Sequence, residues 1–286
     1  MEHDSLIQAQ HLSRRYGDNL AVNDVSFEVR RGEVLGFLGP NGAGKSTTMQ
    51  MLTGNLAPSS GSIRINGIDI LERPKEAKRA LGFLPEQPPL YRELSVDEFL
   101  LFCARLNRVA KEKRAAAVAY AKERCGLTEV GRRLINNLSK GYQQRVGIAQ
   151  AIIHSPEVVI LDEPTVGLDP IQIREIRKLI RELGGEHSVI LSTHILPEVQ
   201  ATCDRVQIIN KGQLVLSDSI DGLTRRMQTS SLLVALRRPP TPQQLQTITG
   251  VQAVEPLEDG RLRLSHDPEQ SPAEALVEKA VAQDWG

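Results

Sequence analysis

The order of apolar and polar positions divides the chain into short β-runs and amphipathic helical runs. It begins with "LIQAQHLSRRY", a turn at Gly17-Asp18-Asn19, and "LAVNDVSFEV", where Ala21, Val25, Phe27 and Val29 are spaced in twos toward the end. That spacing predicts β-structure with one buried face over residues 6–29. After a turn at Arg31-Gly32, "EVLGFLG" is a continuous apolar run suited to a strand covered on both faces. A helix starts within "GKSTTMQML" and stops near Gly54, "GSIRINGIDI" predicts a hairpin turning at Asn66-Gly67, and "LGFLPEQ" a strand ended by its prolines. Residues 95–125 read as helical, with Ser95 as N-cap and Asp97 and Glu98 in the first turn. Val96, Phe99, Leu100, Cys103 and Leu106 fall on one face, and "KEKRAAAVAYAKERC" continues with strong helix formers to Gly126.

A helix from about Lys140 to His154 precedes "EVVILDE", a buried strand by its β-branched residues. "IQIREIRKLIREL" is amphipathic and stops at Gly184-Gly185, "SVILST" is again a buried strand, and "RVQIINKGQLVL" a hairpin. Strand–helix–strand alternation of this kind calls for an α/β fold with a mainly parallel sheet covered by helices. Beyond about residue 222 the composition changes, and the remaining runs read as strand, helix, strand, strand, helix. That is most of a small ferredoxin-like α+β unit. One more strand after Trp285-Gly286 would complete it; the sequence leaves open whether the protein stops short or has been cut.

At 286 residues the chain has room for one large domain and a small one. Lys plus Arg and Asp plus Glu are both 35, which gives no overall electrostatic grip on nucleic acid or an anionic bilayer. Cys103, Cys125 and Cys203 are scattered and lack metal-ligand spacing, as expected of a reduced, cytoplasmic compartment. "MEHDSLIQAQ" has neither the basic start nor the apolar core of a signal peptide. No apolar run approaches the roughly 20 residues that cross a bilayer.

The chemistry is concentrated in four places. "GPNGAGKST" (Gly39, Pro40, Asn41, Gly42, Ala43, Gly44, Lys45, Ser46, Thr47) fits G-x-x-x-x-G-K-[ST] between a buried strand and a helix start. Its glycines allow backbone N–H groups to wrap phosphates, Lys45 reaches the β- and γ-phosphates, and Ser46 offers a hydroxyl to Mg²⁺. "VVILDEP" sets Asp162 and Glu163 at the carboxyl end of a buried strand. Asp162 is expected to hold Mg²⁺ through water and Glu163 to orient and deprotonate the attacking water. "STH" sets His194 past another buried strand, within reach of a γ-phosphate. A second anion-collecting helix start, "NLSKGYQQR", lies far downstream.

"GPNGAGKST", "LSKGYQQR", "VVILDEP", "GLDP" and "STH", in this order, resemble the motifs of ATP-binding cassette (ABC) ATPases over about residues 5–220. The resemblance implies a P-loop cassette over 1–221, with a mainly parallel core sheet, an N-terminal antiparallel β subdomain and a helical signature subdomain over about 86–154. The small α+β domain then covers 222–286. It also implies that Ser139, Lys140, Gly141, Tyr142 and Gln143 complete the site of a second copy packed head to tail. Tyr16 matches the aromatic that stacks on adenine, and Asp169 lies in a loop that communicates across the dimer.

Three positions depart from the usual family pattern. Lys140 replaces a glycine and Tyr142 a glutamine, and Lys140 either adds charge at the phosphate or faces solvent. The loop that normally brings a Gln to Mg²⁺ and water reads "LPEQPPLY"; the family register puts Glu86 there, with Gln87 beside it, and leaves open which faces the metal. "LPE" and "SKG" variants resemble ATPases of exporters whose membrane subunits are separately encoded. The expectation is therefore a Mg-ATP-dependent ATPase at the cytoplasmic face of the inner membrane, partnered by its own copy and a permease docked near 86–110, without nucleic acid. The rival is a soluble ABC ATPase acting on ribosomes or DNA.

Overall fold

A computed structural model describes residues 5–227, 230–257, 260–266 and 270–286. The chain forms two compact units, Met1–Ile220 and Asp221–Gly286. In the first, β1 (Ser5–Tyr16) and β2 (Asn19–Arg30) pair antiparallel across the Gly17-Asp18 turn, and β3 (Val34–Leu38) leads into α1 (Lys45–Leu52). The hairpin β4 (Ser60–Ile65) and β5 (Ile68–Asp69) turns at Asn66-Gly67, followed by α2 (Pro74–Ala77) and β6 (Leu81–Leu84). Helices α3 (Val96–Leu106), α4 (Arg114–Arg124) and α5 (Lys140–Ile152) come next. The unit continues with β7 (Val158–Asp162), α6 (Pro170–Gly184), β8 (Ser188–Thr193), α7 (Leu196–Thr202), β9 (Arg205–Asn210) and β10 (Gln213–Ser219).

Two sheets result. The antiparallel one runs β2-β1-β4-β5; the other runs β10-β9-β3-β8-β7-β6 and is parallel except at the β9–β10 pair. The central strands are buried on both faces, and their period of two sends alternate residues into different cores. Val159, Leu161, Val189 and Leu191 join α3, α4, α5 and α6, whereas Val158, Ile160 and Ile190 join α1 and the antiparallel sheet. This is why these runs are apolar without alternation.

The helix expected over 95–125 is two helices. Ser95 caps α3 with a capping box to Glu98, but α3 ends at Leu106. Arg108 takes φ 58, with Val109 N–H donating to Ala104 O and Arg108 N–H to Arg105 O. Those bonds close the left-handed helix end usually made by glycine. Leu106, expected in the core, is 70% exposed because the helix stops there, and Ala104 is buried instead.

The second unit begins within α8 (Ile220–Met227), a helix the apolar pattern did not mark, and continues with β11 (Ser230–Val234), α9 (Pro242–Gln246), β12 (Val251–Pro256), β13 (Leu262–His266) and α10 (Ala273–Ala282). Its antiparallel sheet runs β11-β13-β12 and packs Leu262 and Leu264 with Leu245, Ile248, Leu276 and Trp285.

Burial pushes the thiols of Cys103, Cys125 and Cys203 up to about 12. Only the thiolate attacks disulfide reagents. Titration with a chromogenic disulfide at pH 8 should therefore label the native chain at least about 100-fold more slowly than free cysteine, and all three thiols in denaturant. One fast thiol in the folded chain would contradict this burial.

Candidate nucleotide site

The parallel register brings the sequence-predicted residues to one edge. Leu38 of β3 pairs with Thr193 of β8, and Asp162 of β7 with Ser192 of β8. Adjacent strands therefore end side by side, releasing the Gly39–Gly44 loop, His194 and Glu163 at the carboxyl edge, where open α/β sheets bind ligands. Gly39 N–H donates to Thr193 O at 3.3 Å and Glu163 N–H to Ser192 O at 2.8 Å, locking the exits together. A cavity of about 530 Å³ opens there; Tyr16, Asn41, Lys45, Glu86, Glu163 and His194 are among its lining residues.

The loop glycines have different reasons. Gly44 is the N-cap of α1 with φ 106, in the left-handed region that favours glycine. Gly39 needs no special φ, but a Cβ there would strike the carbonyl of Ile209 on β9. The first permits the turn into the helix; the second permits close packing of loop on sheet.

Lys45 is 5% exposed and donates through Nζ to Gly39 O at 2.8 Å and Pro40 O at 3.3 Å. Its third neighbour is Glu163 Oε1, 3.2 Å away, while Glu163 Oε2 lies 2.9 Å from His194 Nδ1. A carboxylate only accepts, so this contact places the imidazole proton on Nδ1 and leaves Nε2 for another partner. Glu163 is 6% exposed and takes φ 49, a strained conformation for a residue with a Cβ. The surrounding bonds hold its carboxylate between a cation and an imidazole at the cavity wall.

Hard oxygen donors suit Mg²⁺, and Ser46, Glu86 and Asp162 line a second cavity of about 720 Å³. Ser46 and Glu86 line both cavities, so the two spaces meet at these side chains. Asp162 is 4% exposed, and its Oδ1 has no hydrogen-bond partner among the described residues. A buried carboxylate oxygen left this way is costly in an apolar setting and fits a place beside a cation. Gln87 lines the second cavity but is not among the described residues lining the P-loop cavity.

None of Ser139–Gln143 is among the described residues lining the P-loop cavity. Ser139 caps α5, its Oγ accepting from Tyr142 N–H at 3.4 Å, and Ser139 and Lys140 are exposed. Gly141 is buried against the side-chain amide of Gln172 on α6, which would have to swing aside for a Cβ, and Gln143 donates to the carbonyls of Ile135 and Leu138. The Lys140 ammonium lies over Gly167, in the loop that leads to Asp169. Asp169 itself caps α6, accepting from Ile171 and Gln172 N–H. Tyr142 is 39% exposed beside the Arg145 guanidinium, and Arg14 stands 4.8 Å from the centre of the Tyr16 ring.

A glycine loop opening a helix, its buried lysine, and acids at the end of a neighbouring parallel strand define a P-loop nucleoside triphosphatase. Residues 22–166 match the family model described as ABC transporter, and the chain belongs to that family. It is an ATP-binding, ATP-hydrolysing subunit of a transporter. It is 39% identical over 224 residues to the bacitracin transport ATP-binding protein BcrA of Bacillus licheniformis, covering 78% of this chain and 72% of that one. The linearmycin resistance ATP-binding protein LnrL of Bacillus subtilis is 34% identical over 229 residues, 80% of this chain and 74% of that one. Among solved structures, cbiO1 from Clostridium perfringens, part of the ABC transporter complex cbiONQ, matches at TM-score 0.72 and 30% identity, covering 79% of this chain and 92% of that one.

Proposed function

We propose that the chain is the ATPase subunit of an ABC exporter, closing head to tail with a second copy around two Mg-ATP to drive a separately encoded permease. The observation that carries this reading is the division of the phosphate-binding parts. The described residues lining the P-loop cavity include Lys45, Glu163 and His194 but none of Ser139–Gln143, and Ser139 stands exposed at the start of α5. A site built in two halves makes the nucleotide the link between two copies.

In this reading Lys45 and the backbone N–H groups of Gly42 and Gly44 grip the phosphates, while Tyr16 stacks on the base. Ser46, Asp162 and Glu86 would hold Mg²⁺, which neutralises charge on the β- and γ-phosphates when bound. Glu86 is preferred to Gln87 as the ligand because it lines both cavities, as Ser46 does, whereas Gln87 lines only the second. Glu163 takes the proton of the attacking water, and His194 turns Nε2 toward the γ-phosphate. Ser139 and Gly141 of the second copy close the site, and Asp169 lies in the loop that couples the two.

The exporter assignment is supported by the antibiotic-related names of BcrA and LnrL. Among the described residues no helix is long and apolar enough to cross a membrane. A permease would hold the subunit at the cytoplasmic face of the inner membrane. Its seat is the 86–110 segment, where exposed Tyr91, Phe102 and Leu106 form an apolar surface and the Tyr91 ring packs on Phe99 and Phe102. Affinity purification of the tagged chain from detergent-solubilised cells tests this. A polytopic membrane protein should copurify in stoichiometric amount. Ribosomal components or DNA in its place would favour a soluble ABC ATPase.

A further inference from the structure

Behind the catalytic edge lies a carboxylate that the proposed reaction does not use. Glu198 sits in the first turn of α7, where an acid ordinarily faces solvent and complements the helix dipole. Here it is 0% exposed. One of its oxygens accepts from Thr165 Oγ1 at 2.6 Å and the other from Thr193 Oγ1 at 2.9 Å. The Arg177 guanidinium of α6 lies 3.5 Å from the first oxygen.

The two hydroxyls belong to the two exits that carry the chemistry. Thr165 is two residues beyond Glu163, and Thr193 immediately precedes His194. Thr193 Oγ1 also accepts from Ile195 N–H at 3.2 Å, so the turn around His194 is fixed from both sides. A fully buried carboxylate is costly unless its oxygens are paired, and an apolar side chain could anchor α7 without that cost. What the carboxylate adds is direction: two acceptors aimed at hydroxyls in different loops.

We infer that Glu198 is a positioning residue for ATP hydrolysis, tying the segment after β7 to the segment after β8 so that Glu163 and His194 stay in register. Glu163 keeps its φ of 49 only while its surroundings over-determine it, and the Thr165 bond is one of those constraints. The inference rests on the role proposed for Glu163, and the experiment separates the two.

The full-length chain is assayed for steady-state ATPase kinetics, fluorescent ATP-analogue binding and thermal unfolding. Glu198→Ala should lower kcat by about 10- to 100-fold while KM and analogue affinity stay within about threefold, the pattern of a displaced reacting group. Glu198→Gln, which keeps one acceptor in place, should recover part of that loss. Thr165→Val combined with Thr193→Val should reproduce it, and adding Glu198→Ala to that pair should cost no more than about a further twofold, because all three act through the same bonds. An unchanged kcat in Glu198→Ala overturns the inference, as does full additivity in the triple variant or a parallel collapse of binding and kcat. Should Glu198→Ala fail to fold, the double threonine variant decides, since it leaves the Arg177–Glu198 pair in place; an unchanged kcat there overturns the inference. Glu163→Gln is the control. If it turns over normally, the role of Glu163 falls; if it is inactive while Glu198→Ala is not, only the positioning falls.

Discussion

Glu163→Gln is expected to bind Mg-ATP, to lose at least about 100-fold in kcat, and to elute as a dimer when ATP is present. The amide is the same size as the carboxylate and can still accept from the Lys45 ammonium, now 3.2 Å from Oε1. It cannot take a proton from water, so the chemical step loses its base. Two further effects follow from charge. Glu163 and a bound γ-phosphate compete for the same ammonium, so neutralising Glu163 should leave ATP affinity unchanged or a few-fold tighter. The nucleotide-free variant should also unfold at lower temperature, because its buried Lys45 has lost an anionic partner, and ATP should restore the difference. Light scattering after gel filtration, with and without Mg-ATP, reads the dimer directly. A chain that stayed monomeric and turned over like the wild type would remove Glu163 from the mechanism.

Much of this site was legible because its parts are local. The P-loop, the Asp162-Glu163 pair and the His194 exit each follow a strand whose unbroken apolar run marks it as central, and central parallel strands deliver their carboxyl ends to one edge. Where reading failed, the deciding forces were not local. Arg108 breaks the helix expected over 95–125 with neither Gly nor Pro to announce it; the bonds to Arg105 and Ala104 carbonyls stabilise a left-handed residue there. Leu106 then follows the helical period but has nothing to pack against. Glu198 carried no sequence signal at all, and only the folded chain brings Thr165, Thr193 and Arg177 around it. Lys140 likewise gave no sign that its ammonium would lie over Gly167. That position sets Lys140 of the signature helix beside the loop leading to Asp169 within one chain, a proximity no spacing rule could supply.

The division of the site between copies makes a sharper claim than any single substitution. Ser139→Arg is expected to keep its own Mg-ATP affinity, because Ser139 does not line the P-loop cavity, yet to lose nearly all hydrolysis. Ser139 is exposed and its side chain caps α5 through Tyr142 N–H. Arginine therefore costs the protein one cap bond, about 1 kcal/mol, and folding should survive. Lys45→Ala should fail for the opposite reason, with an intact signature but no grip on phosphate. Neither variant alone can assemble a complete site. Mixed, they can: the P-loop of the Ser139→Arg chain meets the signature of the Lys45→Ala chain, and both halves are sound. Random pairing at equal concentrations makes half the dimers mixed, each with one good site of two, so activity should recover to about a quarter of wild type. The recovery should rise with protein concentration, since it depends on association. Mixtures as inactive as their components, with mixed dimers confirmed by differential tags, would mean that each chain completes its own site.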